Sequence, residues 1–453
     1  MVPRSFSLEA SGMRPASAAA KAVLFAGAAR ALPSARGDAG RVAYFVPGRI
    51  EVLGKHTDYA GGRSLLCAAD QGFCLVAQPR EDGVVRVVNA GNGERAEWAV
   101  GPDVRPVVGG WSNYPATVVR RLARDFPAMT VGADVAFDSD LPPASGMSSS
   151  SAFMIAVFLA LADLNRLDGT EAYRAAIADR TSLAGYLATI ENGRSFGPLT
   201  GDRGVGTFGG SEDHTAILCC RGGTLSQYRF GPVTFERDVP VPAGLAFVVA
   251  FSGVLAEKTS AAMARYNRAS LAAARVLDLW QRAGGSGAAT LEAAAAASGG
   301  PDDIRRAVGE SRDEEFGAGY LLKRFDQFVL ESQEIIPAAG DALAAGDLAR
   351  FGALVDRSQW ATEHWLGNQV PETVALAEDA RRLGAAAASA FGAGFGGSVW
   401  ALVASERAGA FARDWRAAYE ARFPVPAARA RFFETSPGPC AMRLEAAPQA
   451  SAA

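Results

Sequence analysis

The segment Leu141-Pro-Pro-Ala-Ser-Gly-Met-Ser-Ser-Ser-Ser-Ala152 constrains this chain more than any other stretch. It follows a strand-like run, Ala133–Asp138, and enters an apolar one, Phe153–Leu164. Strand, small-residue turn and helix together turn unpaired backbone N–H groups toward an anion. One or two serines suffice to cap a helix. Four in succession, Ser148 to Ser151, exceed that need and point to a phosphate cradle whose hydroxyls can also bind Mg²⁺.

The chain is 453 residues long, 49% hydrophobic and 21% charged, with a net charge of −3. These are the proportions of a globular protein with a sizeable core. No block of like charge suggests nucleic acid, and no apolar run is long enough to cross a bilayer. Five cysteines lack metal-ligand spacing, and the adjacent Cys219 and Cys220 read as buried free thiols. A cytoplasmic, reducing location is expected, with no membrane or nucleic-acid partner and a monomer or weak homodimer.

Along the chain, helices are expected at Ala16–Ala31, Trp111–Arg124, Thr170–Asn192 and Ser260–Arg282, then near 304–312, 318–345, 347–366, 371–390 and at Glu406–Arg422. Short strands are expected at Val42–Val46, Leu65–Ala69, Cys74–Gln78, Val84–Val88, Ala216–Cys220, Leu225–Phe230, Ala246–Phe251, Val399–Ala404 and Ala430–Glu434. Pro47–Gly62 reads as a loop dense in functional groups, and the proline-rich Pro232–Gly244 as a domain seam. Helices and strands mix without strict alternation, so an α+β architecture in two lobes, 20–235 and 245–445, is expected.

Two motifs fail on inspection. Gly54-Lys55 lacks the earlier glycine of a P-loop, since position 49 is Arg, and His56 stands where Ser or Thr belongs. Gly392-Ala-Gly-Phe-Gly-Gly397 spells a dinucleotide fingerprint, but on this reading it leaves a helix and opens a strand, the reverse of the required context.

Three segments together resemble the GHMP small-molecule kinases, and galactokinases in particular. Pro47–Gly62 is similar to the galactokinase signature G-R-x-N-x-x-G-E-H-x-D-Y-x-G-G, Pro142–Ala152 to the phosphate loop P-x-G-x-G-L-S-S-S, and Phe391–Gly397 to a C-terminal G-G-G-F-G-G turn. The resemblance implies an N-terminal S5-like nucleotide lobe and a C-terminal ferredoxin-like lobe. It also implies an ATP-dependent kinase acting on the anomeric hydroxyl of galactose or a related aldose.

Residue by residue, the resemblance implies Asp213 as the base and Arg49 as the cation that keeps it ionised. His56, Asp58, Gly210 and Tyr266 would contact the sugar, and Lys258 would add positive charge. Trp111 and Tyr114 would lie near the nucleotide base. Ser145, Gly146, Met147, Ser148, Ser149 and Ser150 would hold the phosphates, with Gly394 and Gly396 in the third motif. Ser150 and Glu191 would hold Mg²⁺, although about ten extra residues separate Glu191 from Asp213 relative to the family. His214 and His364 read as ordinary polar residues.

The sugar loop departs from its pattern at two positions, where Glu51 stands for Asn and Lys55 for Glu. Either the pair neutralises itself internally, or Lys55 faces the sugar and meets an anionic substituent, as in a uronic acid. A galactokinase-like sensor that binds ATP and sugar without turnover is the reading from another class. It sits poorly with a chain that keeps Asp213, Arg49 and the serine loop.

Overall fold

The apolar runs flanking Gly54–Gly62 pair antiparallel as β1 (Val42–Leu53) and the long β2 (Arg63–Arg80), and the rest of the first lobe is laid against them. The computed structural model describes residues 6–33, 40–107, 109–256 and 260–445. β3 (Val84–Asn89), β4 (Arg95–Ala99) and β5 (Gly132–Ser139) extend the sheet beyond one half of β2. β6 (Thr224–Arg229) pairs with its other half and with β7 (Thr234–Pro240). A second sheet of four strands follows: β8 (Leu245–Phe251), β9 (Ala387–Phe391), β10 (Ser398–Ala404) and β11 (Arg431–Thr435), in the order β11-β8-β10-β9. β12 (Met442–Arg443) returns to the edge of the first sheet beside β1, so the end of the sequence-read second lobe completes the first.

The Ser149–Leu164 helix is apolar almost all round, as a helix enclosed by protein should be. It lies in one continuous core with Ile50, Leu75 and Val135 of the first sheet and Phe247, Trp400 and Leu402 of the second. The Pro15–Ala31 helix covers the other face of the first sheet through Phe25, against Phe45 and Val76. A separate helical layer, with Trp280, Phe325 and Phe328 at its centre, closes over the Asp58–Ala60 turn.

The structure corrects several expectations. β1 continues to Leu53, so Arg49 and Glu51 stand on a strand and not in a loop; the two segments at 65–69 and 74–78 are one strand. Thr170–Asn192 is two helices, Glu171–Ala176 and Arg180–Asn192. The expected seam contains β7, which pairs with β6. Ala216–Cys220 falls in a helix, Glu212–Cys219, because Glu212 and Asp213 suit the positive end of a helix and a short apolar run carries no decisive period. The helix read to 390 stops at Arg382, before Gly384 at φ +96°; the alanine-rich stretch after it is wholly buried and joins the sheet as β9. Burial there overrides alanine's helix propensity. Gly392–Gly397 therefore joins two antiparallel strands, and no helix leads into it.

That hairpin turn is pressed against the serine loop. Gly392 has φ +78°, and a Cβ there would sit 2.6 Å from the Gly146 carbonyl oxygen; Ser398 Oγ donates to the Ser145 carbonyl at 2.7 Å. Gly392→Ala should cost about 1–3 kcal/mol, read as a fall in urea midpoint. Gly309→Ala, at a helix position with open space around it, should leave the midpoint unchanged or raise it.

Candidate active site

Arg49 and Glu51 are two residues apart on β1, so they share a face, while Ile50 and Val52 point into the core. That shared face opens on a cavity of about 700 Å³ whose lining includes Trp111, Tyr59 and Tyr266. Its wall brings together Arg49, His56, Asp58, Trp111, Tyr114, Gly146, Ser148, Ser149, Ser150, Glu191, Gly210, Asp213 and Tyr266, residues scattered across the sequence.

Arg49 is the hub. Its Nε and Nη2 reach Asp213 Oδ1 at 2.9 and 2.7 Å, its Nη1 donates to the Gly146 carbonyl at 2.5 Å, and its backbone N–H bonds the Met147 carbonyl at 3.2 Å. Burial would lower the guanidinium's pKa, but Asp213, Glu51 and Glu212 more than offset it and hold the cation charged. Asp213, in the first turn of its helix, is thus fixed beside the serine loop.

The loop is held in a conformation that few side chains adopt freely. Five non-glycine residues among those described have positive φ: Arg166 (+51°), outside the motifs, and four others, Ala144 and Ser148 at +49° and +57°, His56 at +59° and Phe395 at +58°. All four sit in the three motif segments, and such backbone costs free energy that the surrounding packing must supply. The Ser149–Leu164 helix starts immediately after Ser148, so its first N–H groups face the cavity. Ser145 and Met147 are buried behind that wall and present backbone to the loop's neighbours; Gly394 and Gly396 pack on Asn368 and Val254, leaving Gly392 and Ala393 at the wall.

Glu191 comes to the same place despite the long connection to Asp213. The extra residues fold outward, tied by Arg120 and Arg124 to Asp202, and return through Val205 N–H to the Glu191 carbonyl at 2.8 Å. Ser151 Oγ donates to Glu191 Oε2 at 2.7 Å and lies 3.4 Å from Asp213 Oδ2. The hydroxyl on Glu191 is thus that of Ser151, while Ser150 lines the cavity. His214, read as an ordinary polar residue, is buried with Nε2 3.4 Å from Glu191.

On the same wall, Asp58 Oδ2 accepts the Glu212 N–H at 3.2 Å, and burial raises its pKa. A side chain at Gly210 would collide with Asp58. His56 gives Nε2–H to the Ala393 carbonyl at 3.1 Å, which leaves Nδ1 to accept from the Tyr59 hydroxyl at 2.9 Å. Both ring nitrogens are thereby used within the protein, so the expected sugar contact of His56 would fall to its ring, which lies 5.2 Å from that of Tyr266. Lys258 lies outside the described residues. Lys55 is turned away from the cavity: its ammonium donates to Ser358 Oγ at 3.0 Å, and it forms no ion pair with Glu51 among the described residues. Lys55 is thus not among the lining residues, while its charge still acts on Glu51 without an ion pair to it among the described residues.

Trp111 belongs to an aromatic wall that sequence reading missed, with Phe73, Phe137 and Phe153; Phe137 and Phe153 have centroids 4.5 Å apart and Trp111 lies 6.1 Å from Phe137. Phe73, Phe137 and Phe153 come from β2, β5 and the Ser149–Leu164 helix, and Trp111 from the turn before the Asn113–Asp125 helix, so only the fold brings them together.

Comparison with known proteins identifies the family. The GHMP kinases N terminal domain matches residues 113–192, the galactokinase galactose-binding signature 34–79, and the GHMP kinases C terminal domain 341–421. A galactokinase of Chloroflexus aggregans is 30% identical over 83% of this chain and 87% of its own length. The chain belongs to the galactokinase family of GHMP kinases. Another galactokinase, of Streptococcus mutans, is 28% identical over 81% of this chain and 86% of its own. Among solved structures, Lactococcus lactis galactokinase complexed with galactose superposes with a TM-score of 0.74 at 24% identity, covering 90% of this chain and 96% of that one. Methanococcus jannaschii mevalonate kinase gives 0.53 at 12%, covering 88% and 99%. These two likenesses bear on the fold alone, and they cover nearly the whole chain.

Burial, with the Arg324 cation adding to it, pushes the His56 imidazole down to about 4. An unfolded histidine titrates near ~6.5, so the unfolded chain takes up the extra proton first as pH falls. Stability from neutral His56 is complete above that value and is lost as pH drops toward 4. Urea unfolding at pH 7 and pH 4.5 should show wild type losing about 2–3 kcal/mol more between the two than His56→Asn.

Proposed function

We propose that this protein is an ATP-dependent kinase that phosphorylates the anomeric hydroxyl of galactose or a closely related aldose. One observation carries the reading: Arg49 binds Asp213 and the Gly146 carbonyl at once, which ties a carboxylate base to the phosphate loop. The family supports the reaction class, and the galactose-binding signature over 34–79 supports the sugar.

Phosphoryl transfer asks a protein for alignment, charge neutralisation and exclusion of water. The adenine would rest on the Trp111, Phe137 and Phe153 wall. The phosphates would lie across the N–H groups that open the Ser149–Leu164 helix, where the helix dipole favours negative charge. The sugar would occupy the end lined by His56, Asp58, Gly210 and Tyr266. Its hydroxyl oxygen attacks the γ-phosphorus, a new O–P bond forms, the bond to the β,γ-bridging oxygen breaks, and ADP departs. Asp213 takes the hydroxyl proton, and Arg49 steadies the carboxylate.

The wall fits Mg²⁺ as well. Ser150 hydroxyl and Glu191 carboxylate stand on it together, a hard-oxygen set of the kind that magnesium takes alongside phosphates. Magnesium, when bound, would neutralise phosphate charge; the residues would hold it at the loop end of the cavity.

A coupled ADP-release assay across monosaccharides tests this, with NMR identifying the phosphorylated carbon. Turnover should appear with galactose or a near relative, and Asp213→Asn should lower kcat about 10²–10⁴-fold while ATP still binds. ATP and sugar binding without any ADP release would instead make the protein a sensor.

A further inference from the structure

The galactokinase signature has Asn and Glu where this chain has Glu51 and Lys55. The fold separates the two exchanged side chains. Lys55 lies beyond the end of β1, 1% exposed, with its ammonium on Ser358 and its backbone carbonyl accepting from Gln327. Glu51, two residues along β1 from Arg49, lines the cavity. It is 3% exposed; the carboxyl hydrogen-bonds Glu212, while its Oε1 has no hydrogen-bond partner. A buried carboxyl oxygen without a donor is costly unless a ligand supplies one.

We propose that Glu51 is a sugar-reading residue, binding a hydroxyl of a neutral aldose and so replacing the carboxyl that the galactokinase signature carries at position 55. This rests on the sugar-kinase reading and narrows its substrate class. Glu51, Asp58, Glu212 and Asp213 all line the cavity. Arg49 is the one Lys or Arg among the described lining residues, and it is already engaged by Asp213 and the Gly146 carbonyl. A uronate carboxylate entering there would meet the Asp213 carboxylate and, among the described lining residues, no cation that is not already engaged. A neutral polyol brings an O–H donor for Glu51 Oε1. Burial pushes the Glu51 carboxyl up to about 7 against the pull of Arg49 and Lys55, and Glu212 beside it is raised as well. Near neutral pH such a carboxyl can donate to a hydroxyl as well as accept from one.

The test compares wild type, Glu51→Asn, which restores the signature residue at a shorter reach, and Glu51→Gln, which keeps the reach. The probes are galactose, its monodeoxy analogues and galacturonate, all with saturating ATP. Glu51→Asn should raise the sugar KM about 10–100-fold with the KM for ATP and the melting temperature little changed, and Glu51→Gln should recover most of the loss. One monodeoxy analogue should be poor with wild type yet no poorer than galactose with Glu51→Asn, which identifies the hydroxyl. Galacturonate should be the weaker substrate of wild type. An unmoved sugar KM in both variants, equal deoxy penalties in all three proteins, or a preference for galacturonate would overturn the proposal while leaving a sugar kinase standing. No ADP release from wild type with any sugar would bring down the kinase reading and this proposal together.

Discussion

One buried guanidinium organises the site. Arg49 spends three N–H groups on two partners that belong to different segments, the Asp213 carboxylate and the Gly146 carbonyl. A charged donor shared in this way fixes distance and direction together, because the guanidinium is planar and rigid. Its burial is tolerable only because carboxylates surround it; remove them and an unpaired charge would remain in the interior. The acid cluster around Arg49 is therefore also a condition for keeping Arg49 where it is.

The second lobe holds the first lobe's loops from outside. Arg324 donates to the His56 carbonyl and Gln327 to that of Lys55 at 3.2 Å, while Glu331 accepts the Gly54 N–H at 2.9 Å. On the phosphate side, Gly392 touches Gly146 and Ser398 bonds Ser145. The strained residues His56, Ala144, Ser148 and Phe395 all lie where these contacts converge. Strain of that kind persists where packing over-determines it, and here two helices and a hairpin do so. Lys55 is part of this brace, which explains why a charge inversion in the sugar loop need not appear on the cavity wall.

Much of this was legible from the chain alone, because the motifs carry chemistry that few other folds require. The serine loop and the two-lobed α+β plan follow from residue types in order, whereas the roles of Arg49 and Asp213 were implied by the resemblance to galactokinases. What stayed hidden depended on where elements begin and end. Four adjacent serines look alike until the helix is known to start at Ser149, after which Ser151 turns toward Glu191 and Ser150 toward the cavity. Whether Lys55 pairs with Glu51 or faces the sugar was open until β1 was seen to end at Leu53, between them. The 216–220 and 385–391 runs were misread because short apolar segments fit helix and strand equally, and burial decided each. The aromatic wall needed the strand order itself.

The central claim, that Arg49 acts by holding Asp213 against the phosphate loop, is tested most directly by a double-mutant cycle on kcat/KM with Arg49→Met and Asp213→Asn. If the two side chains work as one unit, the double variant will be scarcely slower than the worse single one, a strongly non-additive result. Losses that simply multiply would mean that Arg49 and Asp213 act independently, and would contradict the claim that the guanidinium works through the carboxylate it holds.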